Sequence, residues 1–597
     1  MTDETSAVIA DGGGLGYGTL SDPGHTQAHR GRPAGEIPTS EDLSGGDDQL
    51  WLLDDRGKAG VQGIEATTTV WTRTSLLSAY AVIWLVFFVN TMQNGATSSL
   101  MPWVTSSFRK HSLTPTVHLM SQIVGGLFKL SLARILDVFG RPQGYLLSIL
   151  LTTVGLAVMA VCRNIETYTA AQVLYTIGFG GLDYCLSIFL ADTSSLQNRA
   201  LVFAFSSSPY IITTWLSGPL SEAFLHGPGF RWAFATFAML TTVVSLPLYA
   251  LFMHNYRKAQ RRGLVASGKS DRTMLQSLVH HGREFDVVGM LLICAGLTCV
   301  LLPLNLYSRQ DLGWHSPLVL LSLALGILLV GFFVVWESSY APVRFVPYRL
   351  LMDRTVFGAC VLACVTFVSF YTWDAYFPSF LQVVNGLSVT QASYVSQIYS
   401  IGSCFWALLV GIAIRRTGRF KWLALYFGVP LLMVGVGLMI CFRQPNVHVG
   451  YLVMCQIFIA IAGGTIVVCE QTAVMAATSH EHVAIVLAIE GVFASIGAAI
   501  GLTAAAAIWQ SVFPRKLREY LPESELKHLD EIYGRLDVQL SYPLGSPARI
   551  AIQRAYGDGQ KTMLLSGTTV LVVALVATAM WRDINVKNMK QVRGNVM

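Results

Sequence analysis

Two stretches with the same residue spacing decide the fold: ARILDVFGRP at residues 133–142 and GIAIRRTGR at residues 411–419. Each stretch has a small residue, three further residues, a charged residue, two more residues and then Gly-Arg. Each copy also ends an apolar segment of helical length, where a Gly-Arg pair marks a tight, charged turn. Two copies at equivalent positions indicate an internal repeat.

The composition predicts a membrane protein. Of the 597 residues, 53% are hydrophobic and only 13% are charged, which is about half the charged share of a soluble domain. So much apolar surface excludes a cytosolic enzyme, a disordered scaffold and a secreted disulfide framework. The net charge of +6 is too small to indicate a nucleic-acid partner. The ten cysteines fall in or beside apolar segments, which favours membrane-buried thiols over a disulfide or metal site.

Fourteen apolar segments have the length of about 20 residues that a helix needs to cross a bilayer. They lie near residues 75–95, 115–136, 144–162, 168–190, 200–222, 231–253, 286–305, 317–337, 355–377, 391–414, 421–441, 450–473, 485–509 and 563–581. The predicted fold class is therefore an all-α membrane protein with fourteen transmembrane helices arranged as 6 + 2 + 6.

The predicted domains follow from these spans. They are a disordered cytosolic tail (1–73), a six-helix half (74–253), a cytosolic linker (254–285), two inserted helices (286–337), a second six-helix half (338–581) with an extracellular loop at 511–562, and a cytosolic tail (582–597). With the first tail inside, the cytosolic segments carry 20 Lys and Arg against 6 in the short outer loops. Both termini are therefore expected in the cytosol.

Two six-helix halves with the turn motif after the second span of each half resemble the major facilitator superfamily. The motif residues are Asp137, Gly140 and Arg141 in the first copy and Arg415, Gly418 and Arg419 in the second. We expect their charges to pair across a cytosolic gate. Fourteen-span multidrug antiporters of this superfamily carry a Gly pair in the fifth helix and an Arg in the fourth. Here Ser221-Glu222 and Leu174 stand at those positions, which disfavours drug/proton exchange.

Seven segments resemble fungal siderophore–iron transporters. They are DVFGRPQGY (137–145), ADTSSLQNR (191–199), SSPY (207–210), TWDAY (372–376), YSIGSCFW (399–406), LSYPLGSPARIAI (540–552) and AYGD (555–558). The resemblance implies proton-driven import of ferric siderophores, usually hydroxamates, at the plasma membrane, with an endosomal or vacuolar membrane as the alternative. It also implies a monomeric carrier whose partners are the ferric siderophore, protons and the lipid bilayer, with no cofactor, no bound metal and no nucleic acid.

Ionisable residues inside the spans are candidates for proton coupling, because each costs roughly 2.5–3.5 kcal/mol to insert into the membrane. We predict that Lys129 in the second span and Asp183 in the fourth approach each other as a proton-sensitive ion pair. The alternative is that each faces a different wet surface. Glu470 and Glu490 lie on the cytosolic side of the second half and are predicted proton carriers, with structural hydrogen bonds as the alternative role.

Aromatic and polar side chains are candidates for the cargo site, because a siderophore complex is bulky and oxygen-rich and already coordinates its iron. The candidates are Tyr210, Trp215, Tyr371, Trp373, Asp374, Tyr376, Tyr399, Trp406 and Gln471. Anchoring at the membrane interface is the alternative role for the Trp and Tyr residues. Tyr542 and Tyr556 lie in the outer segment, which is expected to form either a lid over the outward cavity or a folded cap without a role in capture.

No phosphate-binding loop or catalytic constellation predicts an enzyme. Two other functions remain open beside ferric siderophore import. One is proton-coupled export or exchange of an organic solute such as a drug or a thiol peptide. The other is a non-transporting membrane sensor.

Overall fold

The structure, a computed structural model, describes residues 71–108, 114–262, 286–306, 313–341, 348–478 and 482–588. Its α-helices are α1 Arg73–Ser107, α2 Thr114–Val138, α3 Arg141–Val161, α4 Ile165–Thr193, α5 Leu196–Ser207, α6 Tyr210–His226, α7 Phe230–Arg261, α8 Val287–Leu306, α9 Pro317–Val335, α10 Tyr348–Leu351, α11 Arg354–Asp374, α12 Phe377–Val383, α13 Val389–Ser396, α14 Ile398–Thr417, α15 Lys421–Leu423, α16 Val429–Phe442, α17 Val449–Ala476, α18 Val483–Tyr520, α19 Leu529–Gly534, α20 Leu536–Ser541 and α21 Pro547–Ala579. Residues 1–70 of the predicted tail (1–73) and residues 263–285 of the predicted linker (254–285) lie outside the described ranges.

Shorter elements complete the described chain. They are 3₁₀ turns at Gly313–His315, Glu523–His528 and Val586–Asn588 and π turns at Trp336–Tyr340 and Ala424–Gly428. Within the described ranges, β pairing is limited to one isolated antiparallel bridge between Arg419 and Asn585. The predicted all-α fold class is confirmed.

Thirteen helical segments in the described ranges are long and apolar enough to cross a membrane. They coincide with thirteen of the fourteen predicted spans. The remaining predicted span, near 115–136, is helix α2, which has 25 residues but carries Lys129, Arg134 and Asp137 in its second half. The structure is thus compatible with the fourteen-span arrangement.

The helix starts are encoded locally. The side chain of Asn164 accepts the backbone N–H of Thr167 at 2.8 Å and starts α4. Ser388 and Gln391 form a reciprocal capping box at the start of α13. Such caps satisfy backbone donors that a helix leaves unpaired at its first turn. Within the first half, α3 and α4 approach so closely that a Cβ at Gly178 would lie 2.2 Å from the backbone nitrogen of Thr152.

The first and last groups of helices meet along two helix pairs. In the α2–α18 pair, a Cβ at Gly126 would lie 2.2 Å from the Cβ of Ser495. In the α5–α14 pair, a Cβ at Gly411 would lie 3.0 Å from the Cα of Leu201. These close approaches define the boundary between the two halves, and the candidate site lies on that boundary.

The inserted helices α8 and α9 pack on each other and on the outside of the bundle. A Cβ at Gly326 in α9 would lie 2.8 Å from the backbone nitrogen of Val300 in α8. The Ser131 hydroxyl of α2 donates to the sulfur of Met290 at 3.0 Å. The outer face of α9 is largely uncovered by the described residues, and Leu321 on this face is 70% exposed. An apolar face of this kind is suited to contact with lipid.

Candidate functional site: a cavity and a buried charge cluster

A cavity of about 180 Å³ lies between the two halves. Asn90, Asp183 and Tyr210 line it from the first half, and Tyr399 and Gln471 line it from the second. Serine hydroxyls and apolar side chains fill the rest of its wall. Four of these five residues are candidates from the sequence, and the structure brings them together around one space. The wall offers one carboxylate with phenol, amide and hydroxyl groups.

Contacts join the two halves beside this cavity at both of its ends. At one end, Gln197 Nε2 of α5 donates to the backbone carbonyl of Arg415 in α14 at 3.2 Å. At the other end, the Thr390 hydroxyl donates to the carboxylate of Glu222. The first contact joins the halves near the Gly-Arg turns and the second joins them on the opposite side. A large solute needs one of these ends to open.

Lys129 lies at the centre of a charge cluster, which consists of Lys129, Asp183, Glu470 and Glu490. Glu470 and Glu490 are buried, whereas Lys129 is partly buried and Asp183 is exposed where it lines the cavity. Its ammonium is within electrostatic range of Asp183 in α4 and of Glu490 in α18. Two glycines leave space for its side chain. A Cβ at Gly180 would lie 3.6 Å from Lys129 Cε, and a Cβ at Gly491 would lie 3.2 Å from Lys129 Nζ. The cation therefore sits between one carboxylate of each half, and not only beside Asp183 as expected from the sequence.

The two glutamates of the second half face each other. Glu470 in α17 is 2% exposed, and it interacts electrostatically with Glu490. Its Oε2 atom has no hydrogen-bond partner among the described residues. The Cys360 thiol lies within electrostatic range of both carboxyl groups. Two carboxyl groups so close together repel when both are charged, so a proton on one of them stabilises the pair.

Asp374 and Trp373 lie away from the cavity, in a cluster around Arg443. The Arg443 guanidinium is fully buried and lies 3.8 Å from the centre of the Phe377 ring. Its Nη1 donates to the backbone carbonyl of Trp373 at 3.2 Å, and Asp374 is within electrostatic range. Cation–π stacking and an opposite charge compensate for burying this cation. Trp373 is 1% exposed because it packs in this cluster, so it does not face the cavity.

Two other candidates are held by packing near α18. The Tyr376 ring stacks on Trp509 with 4.3 Å between ring centres. The Tyr371 ring lies 5.8 Å from the imidazole of His118 in α2. Neither tyrosine lines the cavity, because both side chains point toward neighbouring helices.

Trp215 and Trp406 also lie outside the cavity wall. Trp215 is 51% exposed and contacts Tyr394 with 5.2 Å between ring centres. The indole N–H of Trp406 donates to the Thr465 hydroxyl at 3.0 Å. The spacing of residues along an aromatic-rich helix does not reveal which face of the helix points inward. The sequence therefore could not show that Trp215 and Trp406 lie outside the cavity wall.

The two Gly-Arg turns lie on the same face of the bundle. Arg141 Nε is 3.3 Å from the carboxylate of Asp192 at the end of α4. Residues 194–195 connect the end of α4 to α5, where Gln197 donates to the backbone carbonyl of Arg415, three residues before Gly418. Both turns therefore lie near the same connection. Gly140 and Gly418 have φ of +94° and +75°, in the left-handed region that glycine favours. The side chain of Asp137 lies outside the described residues.

The second turn is tied to the carboxy-terminal segment, which we define as residues 581–588. Arg419 Nη1 lies 3.5 Å from the carboxylate of Asp583, and the backbone N–H of Val586 donates to the Gly418 carbonyl at 2.9 Å. The 3₁₀ turn Val586–Asn588 also packs against α5 of the first half. The segment therefore contacts both halves beside the seam.

The outer segment at 511–562 is largely helical. Helix α18 continues to Tyr520 and α21 begins at Pro547, so the connecting stretch is shorter than expected. Hydropathy identifies only the apolar part of a helix, and the polar ends of these two helices extend beyond it. Between them, the guanidinium of Arg535 donates to the carboxylate of Asp537 and lowers the pKa of that carboxyl.

Tyr556 and Tyr542 have different surroundings in this segment. Tyr556 is 2% exposed, and its hydroxyl donates to Gln539 Oε1 at 2.8 Å. Tyr542 is partly buried and donates to the Glu525 carboxylate at 2.8 Å; burial raises the pKa of Tyr542 to about 12. Arg549 binds the segment to the end of α12 through the Val383 carbonyl at 3.1 Å. A lid and a structural cap both remain consistent with this arrangement.

Two residues described above are absent from the sequence-based candidates: Asn90 in the cavity wall and Arg443 in the cluster around Trp373 and Phe377. Asn90 lines the cavity and is uncharged, so a search for charges and aromatic rings misses it. Arg443 is assigned to an outer loop by the span boundaries, yet its side chain is fully buried. A polar side chain inside the first apolar segment is the signal that points to Asn90. The partners of Arg443 lie about 70 residues away, and no local pattern reveals them.

Comparisons with known proteins agree with this architecture. The Major Facilitator Superfamily profile matches residues 83–377. The chain is similar to MFS siderochrome iron transporter 1 of Ajellomyces capsulatus, with 56% identity over 95% of this chain and 96% of that protein. It is also similar to siderophore iron transporter mirB of Emericella nidulans, with 40% identity over 90% of this chain and 89% of that protein.

Solved structures support the fold alone. A peptide transporter POT in complex with sulfate superimposes with a TM-score of 0.52 and 14% identity, covering 84% of this chain and 95% of that chain. Similarity in sequence over nearly the whole length then fixes the family. The chain belongs to the fungal siderophore iron transporters of the Major Facilitator Superfamily.

Proposed function

We propose that this protein imports ferric siderophore complexes together with protons by alternating access of its two halves. The observation that carries the proposal is the position of Asp183, which both lines the cavity and interacts with Lys129, the cation of the charge cluster. A site that binds cargo next to titratable groups can couple the two. The names of the relatives support the cargo: they are transporters of siderophore-bound iron.

The cavity favours neutral ferric hydroxamates as cargo. Iron enters as part of the complex, so no side chain needs to coordinate it. Asn90, Tyr210, Tyr399 and Gln471 can donate or accept hydrogen bonds to the amide and carbonyl groups of such a complex. The described wall contains Asp183 and neither Lys nor Arg, which disfavours a trianionic tris-catecholate complex.

Protons are carried by the carboxyl groups of the charge cluster. The Lys129 ammonium can stabilise a carboxylate on either side, Asp183 in the first half or Glu490 in the second. When one of these carboxyl groups holds a proton, the cation is attracted more strongly to the other. Protonation thereby changes the attraction between the halves, which is the physical requirement for linking a proton to alternating access.

The Lys and Arg distribution favours an orientation with both termini in the cytosol and the Gly-Arg turns on the inner face. The end with the Gln197–Arg415 contact is then the cytosolic end, and the end with the Glu222–Thr390 contact is extracellular. We assign the protein to the plasma membrane, where an inward proton gradient is available, and we expect a monomer to be the working unit.

Uptake in cells that lack their own siderophore carriers tests the proposal. Cells expressing the full chain are given ⁵⁵Fe-labelled ferrichrome, ferric triacetylfusarinine C or ferric enterobactin. We expect accumulation of one or both neutral hydroxamate complexes, acceleration by external acid and loss with a protonophore. An exporter lowers accumulation below that of empty cells, and a sensor leaves it unchanged. Either result, or preference for ferric enterobactin, contradicts the corresponding part of the proposal.

A further inference from the structure

Six buried polar side chains on α1 and α4 of the first half have at least one atom without a hydrogen-bond partner among the described residues. They are Asn90, Gln93 and Thr97 on α1 and Tyr168, Gln172 and Tyr175 on α4. All six are at most 4% exposed. The spacings of three and four residues place each trio on one face of its helix.

The two trios face each other. The Tyr175 hydroxyl lies beside the side chains of Gln93 and Thr97. The third side is closed by α7, where the Thr241 hydroxyl donates to Gln93 Oε1 at 2.5 Å. The two trios therefore meet where α1, α4 and α7 pack together inside the first half, and Asn90 lies at the end of this polar strip that reaches the cavity.

The polar strip leads to the charge cluster. Asn90, the first residue of the α1 trio, lines the cavity together with Asp183. Tyr168 lies one turn from the start of α4 at Ile165. With a rise of 1.5 Å per residue, the strip from Tyr168 to Asp183 is about 22 Å long.

Burying polar groups with incomplete hydrogen bonding is costly, because each unpaired group costs on the order of 1–3 kcal/mol. Ordered water is the usual partner of such groups, typically with about three hydrogen bonds per molecule. Phenol, amide and hydroxyl groups that follow one another along two helices offer partners to several waters in sequence. Such a chain conducts protons but is too narrow for a ferric complex.

We infer that the first half contains a hydrated proton path that runs from the extracellular end of α4 along the two trios to Asn90 and Asp183, and that it meets the route of the cargo only at the cavity wall. The inference rests on the proposed proton coupling and orientation. At its inner end, Asp183 is faced by Lys129 of α2 and Tyr210 of α6. A proton that arrives there neutralises Asp183 and frees Lys129 to interact with Glu490.

The test uses an isosteric double variant, Thr97→Val with Tyr175→Phe, which removes two hydroxyls and keeps the shape of the core. The matched control is Thr152→Val. The Thr152 side chain is also buried, but its hydroxyl donates to the Ser148 carbonyl at 2.8 Å and lies on α3. Full-length protein is reconstituted in liposomes that contain a pH-sensitive dye. An acidic external buffer supplies ⁵⁵Fe-ferrichrome or, if wild type carries it faster, ⁵⁵Fe-triacetylfusarinine C.

We expect the double variant to lower cargo-dependent proton influx and ⁵⁵Fe uptake by about tenfold, equivalent to about 1.4 kcal/mol in the rate-limiting step. Equilibrium binding of the same complex should stay unchanged, and the control variant should behave as wild type. A double variant with wild-type proton influx overturns the path while leaving the coupling intact. Wild-type uptake that ignores the proton gradient instead overturns the proposed coupling, and the path with it.

Discussion

Lys129 of the first half reaches across the bundle to Gly491 of the second, where an added Cβ would lie 3.2 Å from its ammonium nitrogen. The space that glycine leaves is therefore occupied by a cation from the opposite half. Because Glu490 immediately precedes Gly491 in α18, this contact places the ammonium next to the one carboxyl group of the second half that also interacts with it. The two halves are joined here by charge as well as by apolar packing.

Substituting Gly491 with Ala should uncouple uptake from the proton gradient. The new methyl group displaces the Lys129 ammonium from Glu490, so gradient-driven ferrichrome uptake should fall by about tenfold, the equivalent of about 1.4 kcal/mol. Gly331→Ala is the matched control, because a Cβ there meets nothing within 4 Å. Initial rates at external pH 5 and pH 7 in carrier-deficient cells measure the effect. Equal pH dependence in Gly491→Ala and wild type would show that the Lys129 position does not matter.

Glu470→Gln and Glu490→Gln should abolish proton-dependent uptake while leaving expression at the membrane intact. The amide keeps the size of the side chain but cannot accept the proton that relieves repulsion between the two carboxylates. Glu519→Gln serves as the control, since Glu519 lies at the surface beside Lys516. Surface biotinylation reports expression, and ⁵⁵Fe uptake with and without a protonophore reports coupling. Normal gradient-driven uptake in both Gln variants removes these residues from the proton route.

Arg443→Met should destabilise the protein. Removing the fully buried guanidinium leaves Asp374 without its cation and the Trp373 carbonyl without its donor, at a cost of about 3 kcal/mol or more. The melting temperature of the purified protein in detergent measures this loss. The exposed Arg163→Met is the control. Adding Asp374→Asn to Arg443→Met should recover part of the loss, and failure of this rescue would show that Asp374 is not the partner of Arg443.

Tyr556→Ala should destabilise the outer segment by about 3–5 kcal/mol, the usual cost of removing a buried aromatic ring. The centre of its ring lies 4.9 Å from the ring centre of Trp509 and 5.0 Å from the ring centre of Phe513. Tyr556→Phe removes only the hydrogen bond to Gln539 and should cost about 1 kcal/mol. Thermal unfolding of both variants in detergent shows whether Tyr556→Ala loses more stability than Tyr556→Phe. A Phe variant as unstable as the Ala variant would show that the hydroxyl dominates.

Tyr542→Ala distinguishes a lid from a cap. Its side chain is only partly buried, so its removal leaves the packed part of the segment in place. Equilibrium binding of ferrichrome that weakens in this variant assigns the segment a role in capture. Unchanged binding assigns it a structural role.

Predictions from the sequence are most accurate for features that the lipid bilayer itself requires. The bilayer requires long apolar helices, so thirteen predicted spans and the Gly-Arg turns could be located from composition and spacing. The ends of α18 and α21 were harder to predict, because outside the membrane a polar helix and a polar loop have similar composition. Helical regularity there depends on contacts such as that between Arg549 and Val383, which join distant parts of the chain.

The candidate site was only partly predictable for a related reason. Asp183 and Glu490 could be predicted as candidates because a charge in the membrane is costly, and both lie in the charge cluster. Trp215 and Tyr376 are aromatic residues in the expected segments, yet their rings point to neighbouring helices and not to the cavity. Hydrophobic patterns specify which segments enter the membrane, whereas the direction of each side chain depends on the rotation of the helix in its bundle.

The attachment of the carboxy-terminal segment to the Gly418 turn has a mechanical consequence. Because Val586–Asn588 also packs against α5, separation of the two halves on this side must break contacts between the carboxy-terminal segment and one of them. A truncation before residue 588 removes contacts of this turn, so we expect it to make opening on this side easier.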